Sequence, residues 1–256
     1  VLSGRKWQRD IAELENCIVF IDEGHNFVLS QDFARAIRNS SNYYVIVTRE
    51  RLENIPYSVD EIYGIRTSGK YGELKSAYHE FYQLYENIPY DGCVAIREVI
   101  TEDSNSGYDF YKKLFSCKCL SAGGKSMVAA LADDNAKHCE SIVCIVDGAA
   151  FGADIAKFMR KTMHFKNKCI LYAPESFEYL ILKSGLIEVD SNYIDKTYDY
   201  ADSTEYSSWE QFYTSYLINL TRDTVKKYSK NRLNQYYCSD MNIGKIAEQL
   251  PALIEV

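Results

Sequence analysis

Short apolar runs that end at acidic residues recur along the chain and alternate with segments of helical periodicity. One run, in "CIVFIDEG", ends at Asp22 and Glu23, and another, in "SIVCIVDGAAFG", ends at Asp147. Runs of β-branched and aromatic residues bounded by turns predict strands, whereas apolar residues spaced three and four apart predict helices. The predicted strands are 17–22, 42–50, 61–66, 92–101, 117–122, 141–147 and 168–173, and the predicted helices are 73–87, 106–115, 125–136, 152–163 and 174–185.

The alternation of strands and helices after residue 92 predicts a parallel sheet with helices on its faces. Pro and Gly in "NIPYDG", 87–92, interrupt the pattern and predict a boundary. We therefore expect an α/β protein with a first part at 1–88, a second part at 89–188 and a helical tail at 189–256. In the tail, the pattern predicts two helices or one broken helix at 207–229 and a short helix at 242–250, with an acidic, aromatic surface loop at 190–206.

The acids that follow the first strand lie where a parallel sheet binds its ligands, beyond the carboxyl end of a strand. "CIVFIDEG" resembles the Walker B segment of P-loop NTPases, and "NYYVIVTRE" resembles the neighbouring strand that ends in a polar sensor residue. The resemblance implies that Asp22 orients Mg²⁺ and that Glu23 is the base. It also implies that Thr48 is the sensor, with Arg49 near the γ-phosphate of ATP.

The glycine-rich lysine motif that should accompany a Walker B segment does not precede Asp22. We expect the phosphate-binding half either to lie upstream of Val1 or to be absent. The segment "SAGGKSM", 121–127, has the order strand, Gly-Gly-Lys-Ser, helix, but Cys119 stands where the first Gly is required. Lys125 at the start of a helix still predicts an anion site, and an NTPase that uses 123–126 is one hypothesis.

The second part, taken over 92–185, places acids after several of its strands. Its order of strands, acids and glycines resembles the Toprim fold of topoisomerases, DnaG-type primases and overcoming-lysogenization-defect nucleases. That resemblance implies a three-layer domain in which Glu102 and Asp147 hold Mg²⁺ for phosphoryl transfer. Hard carboxylate oxygens are the ligands that Mg²⁺ prefers. The resemblance further implies that Glu175 or Glu178 supplies another acid.

The second part also departs from the Toprim pattern, because Ala149 stands where the family has its second Asp. Acids and glycines also follow strands in parallel sheets simply because the turns are solvated. The same ambiguity applies to Asp22 and Glu23, which alternatively end a buried strand in solvent. A catalytically inactive nucleotide-binding or interaction module is therefore the alternative hypothesis to an enzyme.

The composition narrows the class of partner. Hydrophobic residues make up 46% and charged residues 25% of the 256 residues, as in ordinary globular proteins. The net charge of −7 argues against binding nucleic acid through diffuse positive charge, although local basic faces or a bound metal ion would permit it. The eight Cys residues follow no common zinc spacing and suit a reducing, cytoplasmic location. No apolar stretch reaches the length that crosses a membrane.

The leading hypothesis from the sequence is Mg²⁺-dependent, ATP-linked phosphodiester chemistry on nucleic acid. It combines the back half of a P-loop ATPase with a Toprim-like domain, a pairing familiar in the overcoming-lysogenization-defect family. The catalytic candidates are Glu23, Glu102 and Asp147. A partner protein or a homo-oligomer is compatible with the sequence. The hypothesis predicts that Glu102, Asp147 and either Glu175 or Glu178 converge.

Overall fold

The computed structural model describes residues 6–67, 79–85, 94–165, 168–252 and 254–255. The strands are β1 (Ile18–Ile21), β2 (Tyr43–Ile46), β3 (Tyr63–Thr67), β4 (His79–Gln83), β5 (Val94–Ala95), β6 (Glu98–Thr101), β7 (Lys118–Ser121), β8 (Ile142–Ile145), β9 (Cys169–Tyr172) and β10 (Ile254–Glu255). The α-helices are α1 (Trp7–Glu13), α2 (Gln31–Arg38), α3 (Ser106–Leu114), α4 (Lys125–Ala136), α5 (Gly148–Thr162), α6 (Phe177–Lys183), α7 (Asn192–Asp195), α8 (Thr197–Tyr200), α9 (Trp209–Thr221) and α10 (Asp240–Ala247). Short 3₁₀ helices cover Asn26–Leu29, Val59–Glu61, Met163–Phe165 and Gln235–Cys238.

A four-stranded parallel sheet in the order β7-β6-β8-β9 confirms the predicted α/β class. The register pairs Thr101 with Ser121 on one side and with Ile145 on the other, so these strands end at one common edge. The residues that follow β6 and β8 therefore emerge next to each other.

Helices cover both faces of this sheet because its strands alternate apolar side chains between them. On one face, Val99 and Val143 pack with α3, α6 and the helical tail. On the other face, Ile100 and Cys144 pack with α4 and α5. All four residues of β6 and all four of β8 are buried, which makes the sheet a rigid support for whatever lies at its edge.

The N-terminal part contains a parallel pair of strands, β1 and β2, covered on one face by α1 and α2. Trp7, Val19, Ile21 and Phe33 form the centre of this small core. Ser30 caps α2, because its hydroxyl accepts a hydrogen bond from the Phe33 N–H at 3.1 Å. Strands β3 and β4 form an antiparallel pair.

Residues 51–61 pack against α5 and connect the two parts. The Arg51 guanidinium donates to Asp154 Oδ1 at 2.7 Å, and the Gly152 N–H donates to the Tyr57 carbonyl oxygen at 3.1 Å. A β-carbon at Gly152 would lie 2.4 Å from the Tyr57 ring. Position 152 thus requires glycine for this close approach.

The predicted helix 73–87 is wrong over its described second half, where His79–Gln83 form β4. Residues 73–78 and 86–87 lie outside the described residues. Leu74, Ala77, Tyr78, Phe81 and Tyr85 suggested one apolar helix face. "HEFYQ" is also a favourable strand sequence. Antiparallel pairing with β3, in which Tyr63 lies opposite Gln83, stabilises the strand over the predicted helix.

Several predicted boundaries also shift. The strand predicted at 92–101 is two strands, β5 and β6, and residues 92–93 lie outside the described residues. Helix α5 begins at Gly148 rather than at 152, because "GAAFG" continues directly from its N-cap Asp147. Helix α6 begins after its N-cap Ser176. The predicted loop 190–206 contains the one-turn helices α7 and α8.

Within the described parts of the chain, no helix combines the length and apolar character needed to span a bilayer.

Candidate functional site

Glu102 and Asp147 meet at the carboxyl edge of the parallel sheet. Glu102 directly follows β6, and Asp147 follows β8 as the N-cap of α5. Glu102 Oε2 accepts a hydrogen bond from the Asp147 N–H at 3.3 Å. The strand order β6-β8 produces this juxtaposition, since adjacent parallel strands end side by side.

A narrow cleft opens at these two residues. Glu102, Asp147 and Glu178 line it together with Tyr111 and Lys230. The volume open to a water-sized sphere is about 30 Å³. This is enough for a metal ion or one to two water molecules, because one water needs roughly 10–15 Å³ on the same measure. The cleft is too small to enclose a nucleotide, so a larger substrate would contact it from outside.

The two central carboxyl groups lie in an environment that disfavours their charge. Burial raises the pKa of Glu102 to about 7, the Asp147 N–H and Lys125 oppose the shift, and Glu210 and Asp103 add to it. The pKa of Asp147 lies well above its ordinary range, first through burial and then through Glu210, Glu178 and Glu102. Neighbouring carboxylates and burial therefore favour binding of a proton or a cation here.

Residues from the helical tail complete the cluster. Lys230 forms an ion pair with Glu210 on α9, and both lie close enough to Asp147 to shift its pKa. Burial lowers the pKa of Lys230, but Glu210, Asp147 and Glu178 outweigh burial and leave it above its ordinary value. Lys230 is therefore an ammonium group at neutral pH.

Hydroxyl groups occupy the other side of the cleft. The Tyr228 hydroxyl donates to Glu178 Oε1 at 2.8 Å and also contacts the Ser106 hydroxyl. The Tyr111 hydroxyl is buried and has no hydrogen-bond partner among the described residues. Burial, and then Tyr172, Asp147 and Glu178, raise the pKa of Tyr111 far above neutrality, so it remains a donor. A buried donor without an acceptor costs about 1–3 kcal/mol, which an oxygen atom of a bound ligand would recover.

The sequence singled out the sheet-edge acids of this cleft and missed the groups from the tail. Glu210, Tyr228 and Lys230 follow Glu102 by more than 100 residues and belong to no motif. Only the packing of the tail against α3 and α6 brings them to the sheet edge.

Glu175, the other predicted metal ligand, does not line this cleft. Its Oε1 accepts a hydrogen bond from the Ser58 hydroxyl at 2.9 Å. Burial raises the pKa of Glu175 to about 7, the Ser58 hydrogen bond opposes the shift, and Asp60 and Glu61 add to it. Of the two alternatives from the sequence, the structure places Glu178 with Glu102 and Asp147, and it places Glu175 against the 51–61 segment.

Lys125 also lies near Glu102. It is the first residue of α4, as the sequence predicts, and Gly123 and Gly124 precede it with φ values of 73° and 133°. Its Nζ donates to the Ala150 carbonyl oxygen at 2.9 Å, and its charge lowers the pKa of Glu102. The nucleotide-binding role of 123–126 stays a prediction.

The Walker-B-like residues form a separate, exposed cleft. Because β1 and β2 are parallel neighbours, Asp22 and Thr48 follow the same edge. Glu23, Thr48 and Arg49 line a cavity of about 150 Å³. Glu23 Oε2 and Arg49 Nε form an exposed ion pair at 3.0 Å, Asp22 Oδ1 accepts from the Glu23 N–H, and Thr48 accepts from the Glu50 N–H.

The residues of the Glu102–Asp147 cleft fit a magnesium ion held by few protein ligands. In the described ranges, no three His, Cys, Asp or Glu side chains are placed as a ready-made metal site. Mg²⁺, however, commonly binds one or two carboxylates together with water and substrate phosphates. The adjoining acids Glu102 and Asp147, with the unsatisfied Tyr111 hydroxyl beside them, match that ligand chemistry.

No protein-family model, curated protein or solved structure gives a significant match to this chain.

Lys230→Met is expected to lower the free energy of unfolding by about 2 kcal/mol at pH 8, because it leaves Glu210, Asp147 and Glu178 without their shared cation. The side chain is 30% exposed, so solvent screening reduces the loss below that of a fully buried pair. Burial raises the pKa of Asp147 well above its ordinary range, so this carboxyl group carries less negative charge at pH 5 and needs the ammonium less. The deficit is therefore expected to shrink at pH 5. Urea unfolding at both pH values measures it, with the exposed Lys227→Met as control.

Proposed function

We propose that this protein is a Mg²⁺-dependent phosphoryl-transfer enzyme that cleaves phosphodiester bonds in nucleic acid. The observation that supports the proposal most directly is the convergence of Glu102 and Asp147 at one sheet edge, with the Lys230 ammonium beside them. The proposal assigns a part to each region of the chain. Residues 1–88 form the C-terminal half of a P-loop ATPase-like domain, residues 89–188 form a Toprim-like domain, and residues 189–256 form a helical tail.

Glu102 and Asp147 would hold the magnesium ion in this proposal. A bound Mg²⁺ supplies Lewis-acid stabilisation of the charge that develops on a phosphoryl oxygen. Lys230 provides a fixed positive charge at the same cleft, and charge that is already in position stabilises a transition state effectively. The buried Tyr111 hydroxyl has a proton that is free to bind an oxygen atom held inside the cleft. Glu178, fixed by the Tyr228 hydroxyl, keeps Lys230 protonated and in place.

The second element of the proposal is that ATP binds to the N-terminal part and is linked to the cleavage reaction. Asp22 and Thr48 follow neighbouring parallel strands, and Glu23 and Arg49 line the cleft between them. This is an arrangement in which Asp22 can bind Mg²⁺–ATP and Glu23 can orient a water molecule, once Glu23 exchanges its ion pair with Arg49 for that role.

A second candidate function is a catalytically inactive binding module. Two observations favour it: Ala149 stands where a second acid is required, and Lys230 is an internal cation that already compensates the carboxylate cluster. In that case the cleft is a structural ion cluster, and the protein binds nucleotides or a partner without cleaving a bond.

Metal binding separates the two candidates. Under the enzyme proposal, Mn²⁺ binds at neutral pH, and Asp147→Asn weakens the binding because it removes a charged oxygen ligand. The expected loss is about tenfold or more, which corresponds to about 1.4 kcal/mol. Electron paramagnetic resonance of free Mn²⁺ measures the affinity, with the exposed Glu188→Gln as matched control. Equal Mn²⁺ binding by wild type and Asp147→Asn contradicts the enzyme proposal and favours the inactive module.

The substrate class is tested with the wild-type chain. Single- and double-stranded DNA and RNA are incubated with Mg²⁺ or Mn²⁺, with and without ATP, and the products are separated by length. Metal-dependent shortening of any of the four substrates supports the proposal. Intact substrates under all of these conditions support the inactive module.

A further inference from the structure

A second, much larger cavity is lined by residues of α5 and by residues of the N-terminal strands. We call it the α5 groove; its walls include Tyr43, Tyr63, Lys157 and Arg160. Its volume is about 570 Å³, within the range of roughly 300–1,000 Å³ that holds small-molecule ligands. The groove is therefore large enough for a nucleotide, unlike the Glu102–Asp147 cleft.

One wall of the α5 groove presents aromatic rings to solvent. Tyr43 is 61% exposed and Tyr63 is 59% exposed. Both side chains line the groove. Exposed tyrosine rings are surfaces on which a base or another flat aromatic group stacks.

Helix α5 contributes two cations to the lining of the groove. Lys157 and Arg160 are three residues apart, which places them on neighbouring turns of one helix face. Lys157 Nζ donates to the Ser126 carbonyl oxygen at 2.6 Å. Within the described ranges neither side chain has a carboxylate partner. The protein as a whole has a net charge of −7, so two cations without counter-ions form a locally positive site. Such a site favours an anionic ligand.

The other cations of the groove have structural partners. Arg51 pairs with Asp154 and Glu53, and Arg49 pairs with Glu23. Glu50 and Glu61 also line the groove. The positive charge without a carboxylate partner is that of Lys157 and Arg160.

We propose that the α5 groove binds a nucleoside monophosphate, with the base against Tyr43 and Tyr63 and the phosphate at Lys157 and Arg160. The guanidinium group of Arg160 suits bidentate binding of phosphate oxygens. This site is distinct from the Glu102–Asp147 cleft, because Arg160 lies 13 residues beyond Asp147 on α5, or about 20 Å along the helix. The proposal goes beyond the phosphodiester chemistry proposed above and does not depend on it.

The test is AMP binding to the full chain by isothermal titration calorimetry, in EDTA so that a metal-dependent nucleotide site does not contribute. We expect wild type to bind AMP, Arg160→Ala to weaken binding by about tenfold, and Tyr63→Ala to weaken it similarly, as stacking contacts do. Tyr63→Phe is expected to bind within about twofold of wild type, because the ring is kept.

Two matched controls use exposed residues outside the groove. Lys161→Ala removes the same charge from the same helix, and Tyr198→Ala removes an equally exposed ring, 65% exposed. Both are expected to bind AMP as wild type does. Circular dichroism melts of every variant establish that the fold is kept.

Four outcomes overturn the proposal. The first is no AMP binding by wild type at millimolar concentration, and the second is equal AMP binding by wild type and Arg160→Ala. The third is binding of inorganic phosphate as tight as that of AMP, which assigns the groove to phosphate alone. The fourth is an oligothymidylate that binds at least tenfold more tightly than AMP, which assigns the groove to a nucleic-acid strand.

Discussion

Replacing Glu102 by Gln is expected to lower Mg²⁺-dependent cleavage of nucleic acid by about 100-fold or more, equivalent to about 2.7 kcal/mol of transition-state stabilisation. The amide keeps the size of the side chain and an oxygen that can accept from the Asp147 N–H. It removes the negative charge that Mg²⁺ binds. The rate of strand cleavage at saturating substrate and Mg²⁺ is the measurement.

Glu175→Gln is the matched control for this experiment. Glu175 is a half-buried acid of the same raised pKa, about 7, but it hydrogen-bonds to Ser58 and lies outside the cleft. We expect its variant to cleave at the wild-type rate. If Glu175→Gln lost activity and Glu102→Gln kept it, the assignment of the site to the Glu102–Asp147 cleft would be wrong.

The pH dependence gives an independent measure of the same role. Metal binding needs the carboxylate form of Glu102, so at low Mg²⁺ concentration activity is expected to rise with pH through about 7. Stability changes in the opposite direction. Between the ordinary pKa near 4.5 and the folded value near 7, the unfolded chain has released the proton and the folded chain retains it, so stability falls as pH rises. The Glu102→Gln variant has no carboxyl group at this position, so its stability does not fall with pH for this reason. We expect it to be at least as stable as wild type at pH 8.

Arg51→Met is expected to lower the free energy of unfolding by about 3 kcal/mol, because it leaves the Asp154 carboxylate buried without a partner. The Asp154 side chain is 2% exposed and lies 2.7 Å from the guanidinium nitrogen of Arg51. Methionine keeps much of the length and apolar contact of the arginine stem. Urea unfolding monitored by circular dichroism gives the difference.

Two further variants separate the buried charge from lost packing. Arg49→Met removes an arginine whose pair with Glu23 is exposed at both ends, 85% and 52%, and should cost roughly 0–0.5 kcal/mol. Adding Asp154→Asn to Arg51→Met removes the uncompensated charge, and the double variant is expected to be more stable than Arg51→Met alone. A double variant no more stable than the single one would show that packing, and not charge, accounts for the loss.

The sheet and its acidic edge follow from local patterns in the sequence. The apolar runs before Glu102 and Asp147 predict buried parallel strands, and parallel strands place their following residues at one edge. The structure brings these two residues together as that rule requires. Helix α4 begins and ends at the predicted residues because the glycines before Lys125 and the periodicity after it are local signals.

The parts of the site that the sequence did not predict depend on contacts between distant segments. Lys230 and Glu210 reach the cleft only through the packing of the tail, and no spacing rule connects them to Glu102. Glu175 and Glu178 are three residues apart, yet only Glu178 lines the cleft. Glu175 instead accepts a hydrogen bond from the Ser58 hydroxyl. Pairing with β3 likewise overrides the helical periodicity at His79–Gln83.

Helix α5 has one consequence for how the two parts of the chain can influence each other. Asp147 is the N-cap residue of this helix, and Asp154, seven residues and about 10 Å further along, forms an ion pair with Arg51. Both acids of the cleft are fixed to the sheet, because Glu102 directly follows β6 and Asp147 lies two residues after β8. One hydrogen-bonded helix therefore connects the acidic sheet edge to the segment through which the N-terminal part is attached.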